Sequence, residues 1–278
     1  MTRVFVLLVA FFLVPSTKAQ TVDTIKVKVH DHVMTLYSSG NSKPTVIMES
    51  GGGSTHRAWR TVQAMVASTT RVVSYDRPGY LNSDSCVLPG DALRVAKELR
   101  EALSKANIQP PYILTGWSLG GAFVRVFAGL YSKDVVGMIL VDPTPEDFYT
   151  RAEKEIPEFA AGKASYFQEV MNKGPQGERT EMMMFDSSMN QARRSDASHT
   201  TTTTLLIAAD KTDGVDSRDS SHPVGKIWIG ELENWGKKRP NVNYQLITNS
   251  GHNIARSQPD IVVNAIIQLV NQYNSRPK

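Results

Sequence analysis

The sequence predicts an α/β protein in which helices cover both faces of a mostly parallel central sheet. Two observations lead to this fold class. Short apolar runs bounded by turn residues recur along the chain, as buried parallel strands do, and segments with helical periodicity lie between them. Strands that alternate with helices form a parallel sheet covered on both sides. The apolar runs are 45–48, 71–75, 112–114, 136–141, 205–208 and 242–247.

The predicted elements begin with an antiparallel hairpin. Residues 24–29 alternate with a period of two, as does part of 32–37, and the turn is expected at Asp31 and His32. Asp91 is a favourable N-cap residue for a long amphipathic helix. The helices are expected at 59–67, 91–106, 119–131 and 259–273.

Residues 143–204 break this alternation. The segment is polar, compatible with helices, and rich in methionine and aromatic side chains. An insertion with flexible apolar side chains suits a helical lid over a pocket. The alternative is that these side chains only form the inner faces of helices packed on the sheet. They are Phe148, Tyr149, Phe159, Tyr166, Phe167, Met171, Met182, Met183, Met184 and Met189.

The first nineteen residues have the pattern of a secretory signal peptide. Arg3 precedes an apolar run over residues 4–14, and the segment ends at the small residue Ala19. The run is shorter than the roughly 20 residues that cross a bilayer. The pattern predicts removal of 1–19, a mature domain at 20–278 and a secreted or periplasmic location, the alternative being an uncleaved N-terminal anchor. No later segment resembles a membrane helix, so the mature chain is expected to have no membrane span.

Charge and cysteine content exclude several function classes. Removal of Arg3 and Lys18 with the leader lowers the net charge from +4 to +2. A nearly neutral chain with scattered basic residues predicts neither a nucleic-acid nor an anionic-membrane partner. The single cysteine, Cys86, cannot form an intrachain disulfide, and a domain of about 250 residues is stable without one. We do not expect a reactive Cys86, because its loop is polar and its local motif lacks a histidine.

A Gly-x-Ser-x-Gly motif occupies residues 116–120, between the apolar run 111–114 and the helix-like residues 121–127. A strand, this turn and a helix together predict a nucleophile elbow that exposes Ser118. The two glycines are needed because the turn forces strained backbone angles and leaves no room for a Cβ. The alternative is a strand-to-helix glycine turn without chemistry.

A nucleophilic serine needs a general base, and His252 is the predicted one. Of the six histidines, His252 directly follows the strand run 242–247 and precedes the last helix, and Gly251 permits a tight turn. A loop from a strand end lies on the same sheet edge as the elbow, within reach of Ser118.

The glycine run at residues 51–53 follows the strand run 45–48. Glycines at a strand end expose backbone N–H groups, which acyl transfer needs for the developing oxyanion. The second donor is expected to be the N–H of Leu119, the residue after the nucleophile. A phosphate-binding loop is the rival interpretation, but neither of its glycine motifs is completed here.

Taken together, these motifs resemble the α/β-hydrolase fold superfamily over nearly the whole mature chain. The matching segments are 49–53, 74–80, 116–121, 140–143 and 250–252. The family's usual His-Gly in the oxyanion loop is Ser50-Gly51 here, and that register assigns the donor N–H to Gly52. The segment that begins at Asp76 resembles a structural corner of the family, so Asp76 is given no catalytic role.

The resemblance also implies a triad acid, which the family places after one of two strands. Asp142 ends the run 136–141, whereas Asp210 and Asp213 follow the next strand. Family members with the later acid usually show Gly-x-x-Asp, and Thr212 stands at that position here. This favours Asp142 as the partner of the histidine, with Asp213 and then Asp210 as alternatives.

The implied activity is serine hydrolysis of an ester or related acyl bond in a small molecule, without cofactor or metal. Amides, as in aminopeptidase-like members, and lactones are alternative substrates, and a catalytically weak binding protein is the alternative class. Dehalogenases and epoxide hydrolases of this fold use an aspartate nucleophile, and the serine at position 118 disfavours both of these activities.

A calcium loop is not expected, because the aspartates at 210, 213, 216 and 219 are three residues apart, whereas calcium ligands in such loops are two residues apart. Residues 30–32 are read as hairpin-turn residues, not metal ligands.

Overall fold

The structure is a computed structural model of the 278-residue chain, and it describes residues 21–86, 90–196, 202–210 and 222–276. The predicted leader at 1–19 and the alternative acid Asp213 lie outside these ranges.

Eight strands form one sheet, and six of them are parallel to one another, which confirms the predicted fold class. The spatial order is β1-β2-β4-β3-β5-β6-β7-β8, with β2 antiparallel to both β1 and β4. The strands are β1 (Asp23–Val29), β2 (His32–Ser39), β3 (Thr45–Glu49), β4 (Val72–Asp76), β5 (Tyr112–Trp117), β6 (Val135–Val141), β7 (Thr204–Ala209) and β8 (Val242–Ile247).

The described residues contain ten α-helices. They are α1 (Arg60–Val66), α2 (Ala92–Lys105), α3 (Gly120–Leu130), α4 (Phe148–Glu155), α5 (Pro157–Lys173), α6 (Gln176–Met183), α7 (Phe185–Ser195), α8 (Pro223–Lys237), α9 (Ile254–Ser257) and α10 (Pro259–Asn274). Two short 3₁₀ helices cover His56–Trp59 and Ser132–Asp134. The sequence pattern predicted α1, α2, α3 and α10 but not α8.

The first hairpin turns one residue earlier than predicted. His30 has a φ of 52°, and His32 already pairs with Val29 as the first residue of β2. The turn therefore lies at His30 and Asp31, because the left-handed conformation that closes it falls on His30.

Two apolar clusters lie on opposite faces of the sheet. Successive strand residues point to opposite faces, and in β3 Ile47 joins one cluster whereas Val46 and Met48 join the other. Helices α2, α3 and α8 cover the first face, with Phe123 at its centre; α1 and α10 cover the second, with Trp59 between them. Burial on both faces explains why the strands read as continuous apolar runs.

Helices α4 to α7 lie between β6 and β7, within the predicted insertion. Helix α7 packs on α2 and α3, and Met189 belongs to the core there. Other apolar side chains of the insertion are solvent-exposed: Tyr166, Phe167 and Met183. The insertion thus combines helices packed on the sheet with an exposed apolar surface. Within the described residues, no helix has the length and apolarity needed to cross a bilayer.

Candidate active site

A sharp turn joins β5 to α3 and carries Ser118. Its φ is 54°, in the left-handed region that side chains other than glycine seldom occupy. A Cβ on Gly116 would lie 2.6 Å from the carbonyl oxygen of Gly120, and one on Gly120 would lie 2.6 Å from that of Glu49. The two glycines of the motif therefore stand where neighbouring backbone excludes any larger residue.

Asp142 follows β6 directly and faces His252. Its Oδ2 lies 2.6 Å from Nδ1 of His252, and its side chain is almost fully buried. Oδ1 accepts hydrogen bonds from the backbone N–H of Ala209 at 3.2 Å and from Nε1 of Trp228 at 3.0 Å. The carboxylate is thus held on both oxygens, as a buried acidic group requires.

The other two candidate acids have different positions. Asp210 accepts a hydrogen bond from the backbone N–H of Ser250 at 3.2 Å and so supports the loop that carries the histidine. Asp213 lies outside the described residues. Among the described residues, Asp142 is the carboxylate bonded to the ring of His252.

His252 is fixed beside the elbow by aromatic neighbours. Trp117, the last residue of β5, donates its indole N–H to the carbonyl oxygen of His252 at 2.9 Å. The rings of Trp117 and Trp228 lie 5.4 and 5.6 Å from the imidazole. Since Trp117 precedes Ser118, this contact holds the histidine next to the serine at the carboxyl edge of the sheet, where open α/β folds bind ligands.

The glycine loop after β3 adjoins the serine. A Cβ on Gly51 would lie 3.0 Å from Cβ of Ser118, and one on Gly52 would lie 3.2 Å from Cδ2 of Leu119. The loop and the start of α3 are therefore in van der Waals contact. This contact places Gly52 next to Leu119, the two residues whose N–H groups are the predicted oxyanion donors.

The peptide that carries the Leu119 N–H has a fixed orientation. The carbonyl oxygen of Ser118 accepts hydrogen bonds from the backbone N–H groups of Gly121 at 2.9 Å and Thr144 at 3.1 Å. In a trans peptide the C=O and N–H bonds point in opposite directions, so these bonds aim the N–H of Leu119 the other way. Sequence analysis missed Thr144, whose Oγ1 also lies 3.5 Å from Oγ of Ser118.

A buried cluster of charged and phenolic side chains lies beneath the glycine loop. Nη1 of Arg77 lies 2.5 Å from Glu49, and its Nε lies 2.6 Å from Glu181 of α6. Tyr75 donates to Glu49, and Tyr80 donates to Glu181 at 2.8 Å. Burial raises the pKa of Glu49, although the charge of Arg77 opposes the shift. Burial alone lowers the pKa of Arg77, but the charges of Glu181 and Glu49 outweigh it and raise that pKa.

A second acid–histidine pair lies at the end of β4. Nδ1 of His56 is 2.8 Å from Oδ1 of Asp76, and the imidazole stacks on Tyr37 with centroids 3.6 Å apart. Burial raises the pKa of Asp76, but hydrogen bonds from the side chain and backbone of His56 outweigh it and leave the pKa below its ordinary value. Sequence analysis assigned no role to this histidine, although its position just after the glycine run was a signal.

One cluster of potential metal ligands occurs within the described part of the chain. Ligand atoms of Asp31, His32 and Cys86 lie within 4.8 Å of one another. The local sequence around Cys86 offered no histidine, but β2 brings His32 to it. Nη2 of Arg94 lies 2.7 Å from Sγ of Cys86, and this fixed positive charge disfavours a divalent cation at the same sulfur.

Comparisons with known proteins agree with this architecture. Residues 46–265 match the alpha/beta hydrolase family. A pimeloyl-[acyl-carrier protein] methyl ester esterase of Hamiltonella defensa is 31% identical over 112 residues, which cover 39% of this chain and 40% of that protein. The chain aligns with less than half the length of the curated relatives that it matches.

Two solved structures illustrate the likeness in fold. Cfl2 of Burkholderia cenocepacia superposes with a TM-score of 0.66 at 20% identity, over 89% of this chain and 95% of that one. A thermophilic esterase of Thermogutta terrifontis gives 0.62 at 19% identity, over 90% and 98% of the two chains. At such identities the likeness is one of fold.

Proposed function

The chain belongs to the alpha/beta hydrolase family, and from that premise we propose that it is an exported serine hydrolase that cleaves an ester or related acyl bond. Its general activity is that of a hydrolase. The proposal of a serine hydrolase rests on one observation. Asp142 and His252 are in contact at 2.6 Å, beside the elbow that carries Ser118.

That contact defines the protonation pattern that the reaction needs. A carboxylate only accepts hydrogen bonds, so Nδ1 of His252 carries the proton that it shares with Asp142. Nε2 of the neutral ring then carries a lone pair that can accept the proton of the serine hydroxyl. The carboxylate also stabilises the imidazolium that forms after proton transfer.

The proposed reaction has two halves. His252 accepts the proton of Ser118 while Oγ attacks the substrate carbonyl, and the tetrahedral oxyanion accepts hydrogen bonds from the N–H groups of Gly52 and Leu119. His252 then donates that proton to the leaving alcohol, and the acyl-enzyme remains. In the second half His252 deprotonates a water molecule that attacks the acyl carbonyl. The imidazolium then donates this proton to Oγ of Ser118 as the acyl–oxygen bond breaks, which releases the acid and restores the serine.

We propose a carboxylic ester as the substrate. The Hamiltonella relative is a methyl ester esterase, which favours an ester over an amide or a lactone here. We further propose that α4 to α7 form a lid on the acyl pocket. Support comes from α6, whose Glu178 and Glu181 reach Gly53 of the glycine loop, and from the exposed Tyr166, Phe167 and Met183 on the same insertion.

The test of this proposal is covalent labelling with a fluorophosphonate together with hydrolysis of p-nitrophenyl esters of increasing chain length. The native protein should be labelled at one serine, and Ser118→Ala should lose both labelling and turnover while its melting temperature stays within a few degrees. Ser132→Ala, an exposed serine after α3, is the matched control and should retain both. An unlabelled, inactive native protein would favour the binding-protein alternative, and normal turnover in Ser118→Ala would refute the mechanism.

A further inference from the structure

One buried side chain, Arg77, contacts both the glycine loop and the inserted segment. Nη1 donates to the carbonyl oxygen of Ser50 at 2.8 Å, and Nη2 donates to that of Gly51 at 2.7 Å. Nε of the same guanidinium donates to Oε1 of Glu181 at 2.6 Å. A rigid planar group therefore joins the loop after β3 to helix α6.

The contact of Arg77 with Gly51, together with a hydrogen bond from the backbone N–H of Ser54 to the same carbonyl oxygen at 3.2 Å, determines where the N–H of Gly52 points. The carbonyl of Gly51 and the N–H of Gly52 belong to one planar trans peptide and point in opposite directions. A guanidinium that holds this carbonyl leaves the N–H of Gly52 pointing away from Arg77, and Gly52 itself lies next to Leu119, the residue after the serine. The bond to Ser50 orients the preceding peptide, Ser50–Gly51, in the same way, so Arg77 holds both peptide planes at the start of the loop.

Glu181 holds Arg77 in this position from the inserted segment. Its Oε1 accepts a hydrogen bond from Nε of Arg77, and its Oε2 accepts one from the hydroxyl of Tyr80 at 2.8 Å. The N–H of Gly53 donates to the same phenol oxygen at 3.1 Å and lies 3.4 Å from Oε2. One carboxylate on α6 therefore reaches the loop at both ends, through Arg77 at Gly51 and through Tyr80 at Gly53.

The charges in this cluster allow Glu181 to be changed without leaving a lone buried cation. Arg77 faces two carboxylates, Glu49 at 2.5 Å and Glu181 at 2.6 Å, so neutralising Glu181 leaves it the pair with Glu49. A buried charge that has lost every partner strongly destabilises the fold, but in this variant Arg77 keeps Glu49 as a partner. Glu181→Gln should therefore fold, whereas the orientation of the guanidinium should relax.

We propose that helix α6 completes the oxyanion hole through Glu181 and Arg77, so that the site is fully competent only while α6 is docked on the glycine loop. Arg77 and Glu181 are positioning residues in this arrangement, because neither needs to touch the substrate. The inference rests on the proposed serine hydrolase function and adds a means by which the inserted segment controls it.

The kinetic test compares Glu181→Gln with Glu153→Gln, which removes a carboxylate from a surface ion pair with Lys163 in the same insertion. Loss of one oxyanion donor lowers kcat on the order of 10²–10³-fold, so a misaligned donor should lower it by about tenfold or more. We expect that loss in Glu181→Gln with KM changed less than about twofold, and no change in Glu153→Gln. Affinity for a trifluoromethyl ketone, whose adduct places an oxyanion in the hole, should fall by the same factor as kcat/KM. Unchanged kcat and ketone affinity in Glu181→Gln, or an equal loss in Glu153→Gln, would overturn the proposal.

A second measurement needs no turnover. Hydrogen–deuterium exchange followed by mass spectrometry on the unreacted protein should be faster in Glu181→Gln for peptides that contain residues 49–55 and 176–183, and unchanged for β5 and β6. If the native protein is neither labelled nor active but exchange in Glu181→Gln is faster as expected, the hydrolase proposal fails and the coupling between α6 and the glycine loop stands. If native protein is active and neither exchange nor kcat responds to Glu181→Gln, the coupling alone is refuted.

Discussion

Trp228 donates its indole N–H to Oδ1 of Asp142 across 3.0 Å, on the oxygen that His252 leaves free. The tryptophan lies on α8, and its ring packs edge-on against both the imidazole and Phe148. A helix between β7 and β8 thus contributes directly to the orientation of the candidate acid. His252, Trp228 and the backbone N–H of Ala209 together orient the carboxylate, and substitution of Trp228 measures the contribution of its side chain.

Trp228→Phe should separate the hydrogen bond of Trp228 from its packing. Phenylalanine keeps most of the ring contacts but leaves Oδ1 of Asp142 with one hydrogen-bond donor fewer. Loss of such a hydrogen bond removes about 1–2 kcal/mol of stabilising free energy. We expect kcat for a p-nitrophenyl ester to fall roughly threefold to tenfold. Trp235→Phe removes the same group from a bond to Asp196 outside the site and should leave kcat unchanged. Equal kcat in the two variants would contradict the expectation.

Replacement of the candidate acids by their amides should identify the triad acid. Asp142→Asn keeps the shape but cannot hold the Nδ1–H tautomer of His252, so kcat should fall on the order of 10³ to 10⁴-fold. Asp213→Asn should lose less than about tenfold, and so should Asp210→Asn, whose carboxylate bonds the backbone of Ser250. All three variants are measured on one activated ester. The reverse pattern of losses would move the acid to Asp213.

Gly51→Ala should damage the site through contact alone. The added methyl would lie 3.0 Å from Cβ of Ser118 and 3.2 Å from the ring of Trp117, so the loop must shift. We expect at least a tenfold loss of kcat and a loss of unfolding free energy of about 1–3 kcal/mol. Gly230→Ala on α8 is the control, because its methyl would meet no atom within 4 Å. It should stabilise the helix by about 0.5–1 kcal/mol. Urea denaturation and ester kinetics measure both effects, and a fully active Gly51→Ala would refute the packing argument.

Asp76 should make stability depend on pH in the acid range. Its pKa in the fold lies below the ordinary value of 3.8, because bonds from His56 outweigh the effect of burial. A lowered acid pKa adds stability that is present above the unfolded value and lost as pH falls through the folded value. The difference in unfolding free energy between native protein and Asp76→Asn should therefore narrow below about pH 4. Urea denaturation at pH 7, 5, 4 and 3 measures this difference, and a difference that stays constant down to pH 3 would count against the lowered pKa of Asp76.

The proposed leader should be absent from the exported protein. The charged start, the short apolar run and the small residue at position 19 predict a mature N-terminus at Gln20, which can cyclise. Mass spectrometry of protein from the native host should find that terminus in the secreted or periplasmic fraction. Retention of residues 2–19 would contradict both the cleavage and the proposed location.

Local patterns were sufficient to predict the sheet and to choose the candidate residues. The strands of the parallel part appeared as apolar runs. In β3 to β7 this reflects burial on both faces, whereas β8 is an edge strand in which Asn243, Gln245 and Leu246 are exposed. Ser118 was chosen from the glycines around it, and His252 and Asp142 from their positions after strands. The fold class is confirmed, and the structure brings Asp142 to His252. The catalytic roles of these residues stay predictions.

Contacts between distant segments could not be predicted in the same way. Trp228 and Glu181 carry no local signal of their contact with Asp142 or Arg77, since both lie on helices that pack across the sheet edge. Likewise, Cys86 lacks a histidine in its own motif, yet β2 brings His32 to it. Such neighbours depend on the order of strands and on helix docking, which a single sequence does not encode in any short window.

The candidate residues at the sheet edge lie far apart in the chain, and this separation determines the order in which translation supplies them. Asp142 and His252 are 110 positions apart, and the histidine follows β8, the outermost strand. A ribosome therefore completes the serine turn well before the residues that would activate it exist, and β8 must join β7 before the imidazole can reach its carboxylate. A nascent or truncated chain would carry an inert hydroxyl, so reactivity would be among the last properties that the molecule acquires.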